Sequence, residues 1–401
     1  MRHYFILLLC MMLPSWSSAQ ILVEAEALRS GLSRVELHDL GRGSRTMAEA
    51  DLAAAGAWPN PVFDYEREHM RSPSGSADES WKIAQTFDLS GRRSLRQGAA
   101  ERRLSAAIAE NISRRNEFAA EIRRRFHEVL HGQQIVVATG IWADRFALIE
   151  SRVEKLAKSG EASGYDRRRL ARERQTAQAH LSIEQARLTR NRERLAALIG
   201  RPVEEAGGAL LPTALPALDD ALAKLDQRPE LQILARRAEA LDMENRAAAR
   251  GWAPDVTLGI GVKRSESGAS RDNGNIVTLS FPLTLLDRQQ SRAQHTAAEA
   301  LHTRAEYGLA RRRVEGDLRG LHRQTEKLIA AAAEYRTNAV APAADLLRIA
   351  EAAYQGGEST LLELLDAYRG ALETEITALD LEWKAREARI DYDLLTGSAM
   401  E

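Results

Sequence analysis

The sequence repeats itself. Trp58-Pro59-Asn60-Pro61-Val62 resembles Trp252-Ala253-Pro254-Asp255-Val256, and Thr86-Phe87-Asp88-Leu89 resembles Ser280-Phe281-Pro282-Leu283, each pair 194 positions apart. Gly160-Glu161 matches Gly357-Glu358 and Leu198-Ile199-Gly200 matches Leu395-Thr396-Gly397, now 197 apart, a shift that one short insertion explains. Ordered matches along the whole length mark a tandem duplication of roughly 195 residues. The chain must therefore fold as two copies of one unit.

Each unit opens with two candidate strands. In the second half Val256, Leu258, Ile260 and Val262 alternate with Thr257, Gly259, Gly261 and Lys263, and Val277, Leu279 and Phe281 alternate with Ile276, Thr278 and Ser280. This period of two gives one apolar face. The polar stretch Ser265 to Asn275 reads as the connecting loop. In the first half the strands run from about Val62 to Met70 and Trp81 to Leu89, with Glu66, Arg67, Glu68 and His69 crowding the first. Their length suits either a soluble hairpin or a membrane barrel, whose strands need about 9 to 11 residues. Four strands cannot enclose a water channel, so a membrane role demands an oligomer.

Each unit continues into two long helical tracts. Leu95 to Lys158 contains no proline, and Leu104, Ile108, Ala119, Ile122, Phe126 and Val129 keep to one helical stripe. About 60 residues at 1.5 Å each make a rod of about 90 Å. After the break Lys158 to Gly164, Tyr165 to Ile199 returns with Leu181, Leu188 and Leu195 one heptad apart. The second half repeats the plan from about Ser291, interrupted near Pro342, and returns through Leu361, Leu365, Tyr368, Leu372, Ile376, Leu379 and Trp383. Such narrow apolar seams suit coiled-coil contact between helices. Pro202, Pro212, Pro216 and Pro229 mark an irregular join between the halves.

The N-terminus reads as a leader. Arg2 and His3 precede an apolar run from Tyr4 to Leu13, and Pro14 leads to Ser17-Ser18-Ala19, a small-residue cleavage site. Cys10 lies within it, so disulfides, thiolate metal sites and Cys nucleophiles are excluded from the mature chain. Beyond Ala19 no apolar run is long enough for a membrane helix, and a crossing would have to be a closed β-barrel. Lys+Arg 56 against Asp+Glu 57 gives no basic field for nucleic acid.

Five motifs in this order resemble the TolC family of outer-membrane efflux channels. They are Ala57-Trp58-Pro59-Asn60-Pro61, Gln85 to Arg93, Arg228-Pro229-Glu230-Leu231, Pro254-Asp255-Val256 with Phe281-Pro282-Leu283, and Tyr354 to Ala367. The resemblance implies a mainly α protein with a small β part. Three protomers would each give four strands to a twelve-stranded transmembrane β-barrel in the Gram-negative outer membrane, and their long α-helical hairpins would form a periplasmic tunnel. The divisions are 1–19 signal peptide, 20–58 N-terminal periplasmic segment, 59–91 first barrel hairpin, 92–200 first helical hairpin, 201–251 inter-repeat equatorial region, 252–286 second barrel hairpin, 287–397 second helical hairpin and 398–401 tail. Implied partners are a periplasmic membrane-fusion adaptor, an inner-membrane pump of the resistance-nodulation-division type and outer-membrane lipid. The compact length looks most like the heavy-metal branch, serving cobalt-zinc-cadmium and copper-silver exporters.

At the periplasmic tip the resemblance places Glu363 and Asp366 at a pore constriction, where three copies make carboxylate rings that attract cations. From the residues alone they read as an acidic helix start that suits the helix dipole. Asp166 and Tyr354 match an interhelical pair that holds the entrance shut, while an arginine that joins it in some members is replaced by Ser359. The turns carrying Gly160, Glu161, Gly357 and Glu358 would meet the adaptor.

Two other readings stay open. The first is a soluble periplasmic coiled-coil adaptor or scaffold. The second is a zinc metalloprotease, from His127-Glu128-Val129-Leu130-His131, which sets two imidazoles and a glutamate on one helix. A third zinc ligand is missing: Glu150 and Glu154 lie on the same rod about five turns or more away. His127 and His131 remain candidates for a surface metal site. No G-x-x-x-x-G-K-[ST], G-x-G-x-x-G or G-x-S-x-G motif follows a candidate strand. No cofactor is called for, and a passive conduit, not an enzyme, fits.

Overall fold

The computed structural model describes residues 21–71, 75–158, 160, 163–213, 215–267 and 270–397. The expected signal peptide and Glu161 lie outside the described residues. Two helices, α1 (Glu24–Leu32) and α2 (Val35–Gly56), lead to strands β1 (Val62–Met70) and β2 (Ser76–Phe87). The long helices α3 (Arg92–Lys158) and α4 (Gly164–Ile199) follow. The second unit consists of α5 (Leu218–Ala223), α6 (Pro229–Ala249), β3 (Val256–Ser267), β4 (Ser270–Ser280), α7 (Gln290–Tyr335), α8 (Ala341–Gln355) and α9 (Leu361–Thr396).

The 67 residues of α3 extend about 100 Å. Its buried positions recur at three- and four-residue steps, as in Ala106, Ala109, Ser113, Asn116 and Ala120, and in Trp142, Phe146, Ile149 and Val153. This is the narrow seam of a coiled coil. The upper seam is built from alanine, which lets α6, with buried Ala240, Ala247 and Ala248, come close. Ile108, expected on the stripe, is instead 41% exposed. A strict helical period drifts around a rod of this length, so a stripe fitted over the middle loses its face at the top.

The repeated glycines explain themselves. Gly160 and Gly357 have φ of 81° and 75°, and Gly200 and Gly397, which close α4 and α9, have 75° and 79°. Left-handed backbone strongly favours glycine at a helix C-terminus. The second unit differs in one respect, because between α7 and α8 the residues Arg336–Val340 form a wide π turn. Pro342 just beyond it lacks the N–H that would continue the ladder.

The join is more regular than its prolines indicate. Pro229 begins the 21-residue α6, a first-turn position that proline tolerates because the N–H it lacks would have no partner there. Arg228 is buried and donates to Leu395 O at 2.5 Å and to the Glu230 carboxylate at 3.1 Å.

The four strands form one antiparallel sheet in the order β1-β2-β3-β4, joining the hairpins of the two units. The strands extend into polar residues beyond the expected apolar alternation. Ser76 to Ser80 pair with Met70 to Glu66, and Lys263 to Ser267 pair with Gly274 to Ser270. Ladder hydrogen bonds use only backbone, so strand tips in water need no apolar period. Register puts Phe63, Ile83, Ile260 and Val277 in one row and Tyr65, Trp81 and Val262 in the next. Val277 is 81% and Ile260 70% exposed. From Val256 to Val262 this face rises about 20 Å. The other face carries Asp64, Glu66, Glu68, Asp78, Ser80, Lys82 and Lys263, with Lys263 Nζ 2.6 Å from Asp78. The charges of the first strand thus sort by side. Glu66 and Glu68 lie on the polar face, and Arg67 and His69 lie beyond the apolar rows.

The core is divided along the rods. One cluster joins Leu22, Leu28, Ile122, Phe126, Val129, Leu188, Leu195 and Ile199, and another at the tip joins Trp142, Phe146, Val153, Leu170, Leu347, Leu364, Leu365 and Tyr368. Phe126→Ala should lower stability by about 3–5 kcal/mol and Ile108→Ala by less than about 1 kcal/mol. Denaturant unfolding of the two variants in detergent checks the contrast; equal losses would move the core to the sequence-derived stripe.

Candidate functional site

At the tip the local sequence dictates both helix starts. Ser163 caps α4, its Oγ accepting from Asp166 N at 3.0 Å and donating to the Asp166 carboxylate at 2.7 Å. Thr360 caps α9 through a capping box. The Thr360 N–H donates to Glu363 Oε2 at 2.8 Å, and Glu363 N–H donates back to Thr360 Oγ1 at 3.3 Å. These bonds, backbone first, hold the Glu363 carboxyl below its usual range, so it is anionic.

Leu361, Leu364, Leu365 and Tyr368 turn inward to the tip cluster. Leu362, Glu363 and Asp366 therefore occupy the outward face, and all three are exposed. Glu363 and Asp366 are neighbours one helical turn apart. Capping and an outward negative charge are both properties of Glu363.

Tyr354 lies close enough to Asp166 for the carboxylate to act on it. Burial, then the Asp166 charge, push its phenol upward. The Asp166 carboxylate takes its hydrogen bond from Ser163. Ser359 Oγ is buried with no hydrogen-bond partner, while its N–H donates to Ala353 O at 3.3 Å. Gly160 and Gly357 turn the chain at the ends of the two hairpins, and Glu358 N–H closes α8 on Ala353 O at 2.9 Å.

Two ionic clusters that sequence reasoning missed join the hairpins more directly. The buried carboxylate of Glu173 on α4 receives Arg369 of α9 at 2.6 Å and Arg172 at 2.8 Å. Glu351 on α8 receives Arg145 of α3 at 2.6 Å and the Tyr368 hydroxyl at 2.8 Å. The available signal was local: Glu173 sits in the apolar spacing of Leu170 and Ala177, where a charge needs a partner.

The structure separates the two histidines of the H-E-x-x-H motif. His127 Nε2 meets Glu24 of α1 at 3.0 Å, whereas His131 Nε2 meets Asp380 of α9 at 3.1 Å. Glu128 is held by Arg125 at 2.9 Å. Among the described residues no group of three or more His, Cys, Asp or Glu could hold a metal. The candidate surface site at His127 and His131 is therefore corrected: each imidazole is spent on a different helix.

His127 belongs to a buried polar network. Arg123 bonds Glu24 and, at 3.0 Å, Asp393, which also takes Arg389 at 2.7 Å. Burial pushes the Glu24 carboxyl up, but the His127 hydrogen bond and the Arg123 charge outweigh it and lower it to about 2. Burial lowers His127 against the pull of Glu24. Both folded values lie below their ordinary ones, so the unfolded chain binds more protons and acid destabilises. Stability should fall below pH 6.5 from His127, and further below pH 4.5 as Glu24 approaches its folded value of about 2. Melting temperature against pH checks this; His127→Gln should flatten the upper step and, by removing the imidazole that helps lower Glu24, also reduce the lower one.

A family model described as outer membrane efflux protein matches residues 222–398. The chain is 28% identical over 251 residues to the nickel-cobalt-cadmium resistance protein NccC of Alcaligenes xylosoxydans xylosoxydans, an alignment spanning 61% of this chain and 56% of that protein. It is 27% identical over 360 residues to the cobalt-zinc-cadmium resistance protein CzcC of Cupriavidus metallidurans, spanning 87% of this chain and 84% of that protein. The fold is similar to that of the outer membrane protein VceC of Vibrio cholerae, with a TM-score of 0.77 at 18% identity over 94% of this chain and 97% of that one. With its duplicated strand pairs, helical rods and tip motifs, the chain is similar to outer-membrane efflux proteins, in sequence over its second half and in fold over nearly its whole length.

Proposed function

We propose that the mature protein is the passive outer-membrane channel of a tripartite efflux system and that its cargo is divalent heavy-metal cations. The sheet carries this reading: one face is apolar and exposed, and among the described residues each of its two edge strands has a partner on one side only. Lipid accepts the apolar face but not open edges, so further copies must close the barrel. Three protomers give twelve strands, with the polar face lining water. A soluble periplasmic scaffold would leave Val277, Ile260, Phe63 and Leu279 in water as one patch, which is unfavourable.

The helical rods continue the conduit through the periplasm. Glu363 and Asp366 form carboxylate rings at the tip that concentrate cations and narrow the pore. Asp166 and Tyr354 brace the closed entrance, and the turns at Gly160-Glu161 and Gly357-Glu358 meet the periplasmic adaptor. Energy comes from an inner-membrane pump of the resistance-nodulation-division type, since this chain has no phosphate loop. The names of NccC and CzcC motivate the metal cargo.

Conductance across planar bilayers tests the channel. Detergent-purified trimer should give stable steps, and the Glu363→Ala, Asp366→Ala double variant should show larger conductance or weaker cation preference. Protein that stays monodisperse without detergent and never inserts would sink the reading.

A further inference from the structure

Helix α7 carries a ladder that the channel reading does not use. His295, Glu299, His302 and Glu306 follow one another at steps of four, three and four residues, which places all four on one helical face. His295 Nδ1 lies 3.5 Å from Glu299 Oε2, and His302 Nδ1 lies 3.7 Å from Glu306 Oε2. All four side chains are about half exposed or more. The contacts of α7 with the inter-repeat segment use another side: Arg304 bonds Asp242, and Tyr307 and Arg311 bond Asp226 at 3.1 and 2.7 Å.

Two features separate these pairs from ordinary surface charges. Most carboxylates near a helix in this protein are taken by arginine, yet among the described residues Glu299 and Glu306 have only their histidines. His180 and Glu184 on α4 have the same spacing, but Arg187 claims that glutamate at 2.7 Å. The distances also suit a metal. Imidazole nitrogen and carboxylate oxygen at about 2.1 Å from a tetrahedral ion stand about 3.4 Å apart. Both pairs need move only a few tenths of an ångström.

We propose that α7 carries two divalent transition-cation sites, His295/Glu299 and His302/Glu306, each completed by water. Imidazole with carboxylate selects borderline ions such as cobalt, nickel and zinc over magnesium and calcium, which prefer all-oxygen shells. Two protein ligands per ion make the sites weak and quickly exchanging. A conduit needs that property, because cargo must leave as readily as it enters. One heptad separates the pairs by about 10.5 Å along the axis. Their role in transit rests on the metal-export reading; their binding chemistry does not.

The test is a cobalt(II) titration of tag-free mature protein in detergent, read by visible d–d absorption. Wild type should take up more cobalt than the His295→Ala, His302→Ala variant by about two ions per protomer. Glu299→Gln with Glu306→Gln should weaken those sites about tenfold or more, and His180→Ala should leave them unchanged. Equal cobalt uptake by wild type and the histidine variant overturns the proposal. So does displacement of cobalt by equimolar magnesium, or an effect of the histidine variant without one of the glutamine variant. Binding is read without bilayer or pump, so a failure here is distinct from a failure to conduct.

Discussion

The backbone groups along the outer edges of β1 and β4 set the terms for the rest of the molecule. Among the described residues β1 pairs with β2 alone and β4 with β3 alone, while Phe63, Ile83, Ile260 and Val277 present an apolar row to the outside. In water such a sheet invites edge-to-edge association, and in lipid it leaves unpaired hydrogen-bonding groups at several kcal/mol each. Closing the edges with identical copies removes both costs. The helices inherit the consequence, since a chain whose sheet is one segment of a barrel must run its rods as one segment of a tube. That accounts for narrow seams and for exposed leucines and isoleucines such as Leu301, Leu309, Leu346 and Ile349 on α7 and α8.

Electrostatics supplies what a divided core cannot. Glu24, Arg123, His127, Arg389 and Asp393 lock α1 and α9 onto the middle of α3. At the tip Glu173 with Arg369, and Glu351 with Arg145 and Tyr368, hold the second hairpin to the first. Each buried carboxylate has a cationic or hydroxyl partner, as desolvation demands. Because the clusters bridge different helices, each fixes a relative position that slender apolar seams alone would leave free to slide.

Much of the architecture was legible because its causes are local. Left-handed backbone favours glycine wherever it occurs, so Gly160, Gly200, Gly357 and Gly397 announced the same turns twice. A proline-free run with three- and four-residue apolar steps specified α3 within a few residues of its ends. The strand tips at Ser76 to Ser80 and Ser265 to Ser267 were not legible, since polar residues paired through backbone leave no period to read. Helix α6 was hidden because Pro229, read as part of an irregular join, is instead its first residue.

The sequence by itself determined the duplication, the order of strand pairs and long helices, the glycine turns and the acidic start of α9, because each follows from conformational or periodic constraints within a few residues. Tertiary structure decided which charges meet. His127 and His131 share a helix face and a zinc-like spacing, yet one faces Glu24 and the other Asp380. Glu173 finds Arg369 only when two distant hairpins lie side by side. Spacing along a helix fixes direction, whereas the partner in that direction is set by how the rods pack, and Coulomb and desolvation terms depend on that distance.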